Sequence, residues 1–267
     1  AAEDGPAVPR RATVAGMDAP FDSQPAAAPS SAGPELARAR AELVELIARW
    51  GTPADDAAVP HERRPASLTD IPAESAVTWG FDWPRVPAPT PSAVLLLFGP
   101  LDDVPARRRT RDVDALLDVL LTQRAQTLRR HAGQVAFPGG RCDPGDGSVV
   151  ATALREAREE TGLDPAAVEV LGVLPPVCVA VSGYVVHPVV GWWRRSSRVD
   201  VVDHNEASAV FRVPVADLTD PDGRFMVARP GGRRGLTPGF AVQDRFVWGV
   251  TAALLSRVLE LLGWDEP

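Results

Sequence analysis

Residues 120–163 read LLTQRAQTLRRHAGQVAFPGGRCDPGDGSVVATALREAREETGL, and this stretch decides the fold. QVAF at 134–137 is a short strand that enters a loop of Gly139, Gly140, Asp143, Pro144, Gly145 and Asp146. VVATALREAREETG then forms a helix ended by Gly162, the residue type that most easily takes a left-handed terminus. On that helix Glu156, Glu159 and Glu160 stand at i, i+3 and i+4, so their side chains leave one face within about a turn. Three like charges so close repel unless something positive lies among them, and hard divalent cations take such oxygen ligands. Taken alone, the helix reads as a solvated acidic face with pairs of the Arg155–Glu159 type. The glycine loop just upstream changes that reading, because it lets backbone approach a ligand closely and offers carbonyls to a cation. Loop and helix together predict a metal–phosphate site.

Working outward, AVLLLF from Ala93 is a buried strand, and ALLDVLLT from Ala115 is another. Between them the arginines 107, 108, 109 and 111 mark a solvated surface loop. Beyond the helix, VEVLGVL, VVHPVVGWW, SAVFRV, RFMVA and GFAV are strand candidates, and WGVTAALLSRVLELLGW has a helical apolar pattern. Strands flanked by a few helices predict an α/β (α+β) fold, a sandwich of helix and sheet layers around a mixed sheet. Residues 1–33, rich in Ala, Pro, Ser and Gly, read as a flexible tail. Residues 34–90 read as an N-terminal helix followed by an extended wrap that carries Trp79, Phe81 and Trp83. The helix, with Leu36, Leu43, Leu46, Ile47 and Trp50 at helical spacing, is expected to dock on its own domain or on a second subunit, so a homodimer stays open. The catalytic domain is expected at 91–267.

A chain of 267 residues, 45% hydrophobic and 24% charged, is long enough for one large core, and its net charge of −7 argues against a general nucleic-acid binder. Cys142 and Cys178, far apart and without CxxC spacing, predict neither a disulfide framework nor a zinc site, which suits a reducing cytoplasm. No apolar run reaches the roughly 18 to 20 residues of a membrane span, and no export signal is evident, so a cytoplasmic protein without membrane contact is expected.

The chain resembles the Nudix hydrolases, whose signature is G-x5-E-x7-R-E-U-x-E-E-x-G-U with U aliphatic. Gly140, Arg155, Glu156, Ala157, Glu159, Glu160, Gly162 and Leu163 match it. Asp146 stands where the signature has its first glutamate, and eight residues rather than seven separate it from Arg155. The stretch just upstream resembles the coenzyme A diphosphatase branch, L-L-T-x-R-[S/A]-x3-R-x3-G-x3-F-P-G-G. Leu120, Leu121, Thr122, Arg124, Ala125, Arg129, Gly133, Phe137, Pro138, Gly139 and Gly140 fill every specified position.

This resemblance implies a Nudix-type α/β/α sandwich and a Mg2+- or Mn2+-dependent hydrolysis of the diphosphate bond of coenzyme A or its thioesters. The products would be 4'-phosphopantetheine, or its acyl form, and 3',5'-ADP. It implies Glu159 and Glu160 as metal ligands, Glu156 as a further ligand or as the base for the attacking water, and Gly140 as a carbonyl ligand. Arg155 would buttress the carboxylates, paired with Asp146. Arg124 and Arg129, beside Gly139 and Gly140, are candidates for the substrate's phosphates, with Arg130 and His131 weaker ones. Glu206, Asp203 and Asp244 are candidates for an additional acid. Trp192, Trp193, Phe225 and Trp248 are candidates for an adenine platform, each set against a plain core role. The alternatives are a Nudix enzyme acting on NADH or ADP-ribose, and a non-catalytic nucleotide sensor.

Overall fold

The structure is a computed structural model that describes residues 33–54, 90–102, 106, 116–128, 131–179, 182–228 and 236–265. The expected tail, the wrap with its three aromatic residues, the arginine loop, Arg129 and Arg130 lie outside the described residues. Four α-helices are described: α1 at Gly33–Trp50, α2 at Val149–Thr161, the short α3 at Val215–Leu218 and α4 at Gly249–Leu262. None is long and apolar enough to cross a membrane.

The large sheet contains β1 (Thr52–Pro53), β2 (Thr90–Pro100), β3 (Leu117–Arg124), β4 (Val135–Ala136), β5 (Gly139–Arg141), β6 (Val168–Val173), β7 (Val177–Val179), β8 (Tyr184–Trp193) and β9 (Ala207–Pro214). Its main path runs β1-β6-β8-β2-β3-β4, with β5 on β2, β7 on β8 and β9 on β3. The β2–β8 pair is parallel and the others are antiparallel, so the sheet is mixed.

The sheet is covered on both faces, as the alternation within β2 shows. Ala93, Leu95 and Leu97 pack with Ala153 and Ala157 of α2. Leu96 and Phe98 face the opposite way, into the cluster that holds Leu43 and Ile47 of α1 and Leu254, Leu255 and Val258 of α4. The result is an α/β/α sandwich with a mixed central sheet, as expected from the sequence.

Helix α1 docks on its own domain. Leu43 and Ile47 are buried, each burial contributing roughly 1.5–3 kcal/mol. Arg40 pairs with Glu169 of β6, and the Trp264 indole donates to Glu42 at 2.7 Å, tying α1 to the end of α4.

A separate three-stranded sheet, β10 (Arg224–Ala228), β11 (Leu236–Val242) and β12 (Arg245–Val247), packs beside α4. The sequence suggested β10 and β11 but not that they leave the main sheet. It also missed β5, β7 and β12, three-residue strands too short to show any alternation.

Candidate active site

Pairing of β5 with β2 and the packing of α2 on the same sheet face bring the glycine loop and the carboxylate helix together. Gly139 has φ of +158°, and a side chain there would bring its Cβ within 2.7 Å of the Val94 Cα, so only glycine fits. Its N–H donates to Glu160 Oε2 at 3.1 Å. Gly140 lies under the Glu156 carboxyl, where an added Cβ would meet the two oxygens at 2.5 and 2.6 Å. Helix α2 starts where the Ser148 hydroxyl accepts from Ala151 N at 3.1 Å and stops at Gly162, whose φ of 70° is left-handed.

Arg155 lies among the acids. Its Nε donates to Asp146 Oδ1 at 2.7 Å, its Nη2 to Asp146 Oδ2 at 3.0 Å and to the Arg141 carbonyl at 3.1 Å. Nη2 also lies 2.9 Å from Glu156 Oε1, and Nη1 donates to Glu159 Oε2 at 2.9 Å. The Asp146 pairing expected from the sequence is therefore present. The Arg155 guanidinium, with Thr152 and the Asp143 N–H, holds the Asp146 carboxyl well below the usual range. Burial raises the Glu156 carboxyl above its ordinary value, and Arg155 opposes the rise.

Glu160 is the most deeply set of the three glutamates. Burial pushes its carboxyl up to about 7; the Gly139 N–H and Arg124 pull it down, and the charges of Glu156 and Glu206 push it further up. Glu206, a weak candidate on sequence grounds, thus belongs to the electrostatic surroundings of Glu160. Its carbonyl accepts from Ala125 N at 2.9 Å, beside the bulge between Gln123 and Arg124.

Other candidates go elsewhere. His131 is held by Gln134 Oε1 at 2.8 Å, a loop contact. Asp203 Oδ1 accepts from Asn205 N at 2.8 Å, and Asp244 sits in the β11–β12 turn with φ of 59°. Cys142 is buried. Trp192 and Trp193 are core residues at 7% and 0% exposure and cannot form an adenine platform. Trp248 precedes α4 and is half-buried, whereas Phe225 is exposed and stacked on Phe246 with centroids 5.1 Å apart.

Residues 106–229 match the NUDIX domain family. An uncharacterized Nudix hydrolase, NudL, of Salmonella paratyphi B is 46% identical over 154 residues, which cover 54% of this chain and 75% of the relative.

The chain belongs to the Nudix hydrolases.

NudL of Salmonella newport matches to the same extent. Among solved structures, the Nudix hydrolase RenU of M. smegmatis has a TM-score of 0.44 at 19% identity, covering 69% of this chain and 92% of that one. The NUDIX domain of Shewanella oneidensis NrtR, solved with ADP ribose, has a TM-score of 0.37 at 23% identity, covering 49% and 77%.

The Nudix residues can be tested for their fit to a divalent cation. Among the described residues no three Asp, Glu, His or Cys side chains already converge as a metal-binding set. Arg155 supplies the positive charge among them instead. The donor chemistry nevertheless suits a hard cation: Glu156 and Glu160 offer carboxylate oxygens, and Gly140 lets the Glu156 carboxyl approach its backbone as no larger residue there would without displacing it. A deeply set Glu160 with a raised pKa is also a group whose charged form a cation would stabilise.

Proposed function

We propose that this Nudix hydrolase cleaves the diphosphate bond of coenzyme A or its thioesters, releasing 4'-phosphopantetheine or its acyl form and 3',5'-ADP. The observation that carries the coenzyme A assignment is the unbroken match of Leu120–Gly140 to the branch pattern. In the fold this stretch is β3, the loop after it, β4 and the start of β5, which lies against α2. Glu156, Glu159, Glu160 and the Gly140 carbonyl are the groups that would hold Mg2+ or Mn2+. Such a cation, when bound, supplies neutralising charge to the diphosphate and its leaving group.

Arg155 keeps Glu156 and Glu159 oriented from one side, and the Gly139 N–H orients Glu160 from the other. Arg124, electrostatically coupled to Glu160 and with a buried Nε that has no hydrogen-bond partner among the described residues, is assigned to a substrate phosphate. Arg129 receives the same assignment from the sequence match alone.

The test is incubation with CoA, acetyl-CoA, NADH and ADP-ribose, each with Mg2+, Mn2+ or EDTA, alongside Glu160→Gln, with products identified by mass. The expected result is metal-dependent 3',5'-ADP from CoA, lost in the variant. Turnover of NADH or ADP-ribose in its place discards the coenzyme A reading, and turnover of nothing favours a nucleotide sensor.

A further inference from the structure

We infer that Thr152 is a positioning residue for this site: its hydroxyl completes the anchoring of Asp146, which holds Arg155 and through it Glu156 and Glu159. Thr152 is fully buried in the first turn of α2, and the Nudix signature leaves its position unspecified. Its Oγ1 lies 2.8 Å from Asp146 Oδ2 and 3.2 Å from the Ser148 carbonyl. One hydroxyl proton cannot serve both, and the shorter, charge-assisted contact to Asp146 is the stronger.

Asp146 then has four donors. Oδ1 accepts from Arg155 Nε, while Oδ2 accepts from Asp143 N at 2.8 Å, from Thr152 and from Arg155 Nη2. Three of the four crowd onto Oδ2, and with the Asp146 side chain only 6% exposed, water cannot readily replace a lost donor.

This arrangement accounts for the two departures from the signature. An aspartate is one methylene shorter than the glutamate it replaces and cannot reach Arg155 from a distant loop. Here the loop folds back onto the first turn of the helix, where the Thr152 hydroxyl and the Asp143 N–H fix the carboxylate within reach of Arg155 Nε. Thr152, Arg155 and Glu156 stand at i, i+3 and i+4, so anchor, arginine and acid share one stripe of α2. Thr152 touches neither Glu156 nor Glu159 in this scheme; it acts only through Asp146 and Arg155.

The inference rests on the proposed CoA hydrolysis for its kinetic readout but not for its spectroscopic one. Thr152→Val removes the hydroxyl at nearly constant shape, and Thr152→Ser keeps it. With CoA and Mg2+, Thr152→Val is expected to lower kcat about tenfold or more while KM moves by less than about threefold, and Thr152→Ser to recover at least about half of kcat. Independently of turnover, the 1H–15N signal of Arg155 Nε, assigned by its loss in Arg155→Lys, should shift and exchange faster with water in Thr152→Val and stay in place in Thr152→Ser. Should melting show that the valine variant does not fold, Thr152→Ala is read in its place. A valine or alanine variant that folds with wild-type kcat and an unmoved Nε signal overturns the inference. If the wild-type protein does not hydrolyse CoA, the substrate reading fails, and the Nε signal alone still decides the role of Thr152.

Discussion

Two arginines in this molecule sit among carboxylates, and they do opposite things. Arg155, 27% exposed, distributes its donors over Asp146, Glu156 and Glu159 at the edge of the glycine loop. Arg212 of β9, its side chain 8% exposed, lies 2.7 Å from Asp118 of β3 and 3.8 Å from Asp102, with its guanidinium 4.6 Å from the Trp193 ring centroid. Beside Arg155, Asp146 with its four donors is held far below the ordinary carboxylate range. Beside Arg212, burial outweighs the ion pair and pushes Asp118 up to about 7. The same pairing of residue types therefore orders the proposed active-site edge in one place and seals a sheet in the other. What decides is how many donors the carboxylate collects and how much water it loses.

The largest effect expected from this contrast is on stability. Arg212→Leu removes the charge-assisted hydrogen bond to Asp118, which can take up a proton in response, leaves an unfilled side of Trp193 and should cost about 1.5–3 kcal/mol, the range for a lost hydrogen bond to a charged group. Urea unfolding measures it, with kcat of the folded fraction expected to stay near the wild-type value. A loss below about 1 kcal/mol would show that Arg212 does not seal the sheet. Arg155→Lys is the mirror experiment. A lysine has no planar fork to span Asp146, Glu156 and Glu159, so kcat for the proposed substrate, CoA, should fall roughly 10- to 100-fold. The melting temperature should fall less than in Arg212→Leu, because the lysine keeps a positive charge beside Asp146 and Glu159 is exposed to water. A variant that loses stability and keeps kcat would make the two arginines equivalent.

Gly140→Ala gives a smaller and more local effect. The new methyl meets only the far end of the Glu156 side chain, which can swing away, so the fold should survive. The displaced carboxyl should lower kcat by about tenfold and weaken Mn2+ binding in calorimetry. Gly139→Ala is the control: there the clash is with the backbone of β2, and the expected outcome is a destabilised protein.

How much of this was legible in the sequence follows the distance over which each interaction acts. The α2 helix, its Gly162 stop and the three-glutamate face are local patterns, and local spacing is what periodicity reads. The Arg155–Asp146 pair was legible through resemblance, since the two are nine residues apart in a recognised box. The hydroxyl of Thr152 on Asp146 was not, because it depends on a loop folding back on its helix. The Arg212–Asp118 pair, 94 residues apart in sequence, carried no signal at all. Trp192 and Trp193 illustrate a choice the sequence left open: set between a ligand platform and a plain core role, they take the core role, on opposite faces of one buried strand. Glu206 shows a third case, a single acid with no motif around it that reaches the site only because β9 begins beside the β3 bulge.

The last contrast is a pH dependence, and it separates the two arginine sites by sign. Asp118 titrates near 7 in the folded protein and at about 3.9 when unfolded, so the folded state binds the proton more tightly. The stability it contributes is complete below about pH 4 and is lost as the pH rises through 7. Asp146 has the opposite displacement: its contribution is present above about pH 4 and is lost as the pH falls below that. Asp118→Asn replaces a largely neutral acid by a neutral amide at pH 5. Its melting temperature there should lie within about 4 °C of wild type, a difference of about 1 kcal/mol in a chain of this size. Between pH 5 and 8 the wild-type melting temperature should fall relative to the variant's, because only the wild type must ionise a buried acid. If instead the wild type gains on Asp118→Asn as the pH rises, the Arg212 ion pair outweighs burial, Asp118 is a charged anchor like Asp146, and the contrast between the two sites reduces to exposure alone.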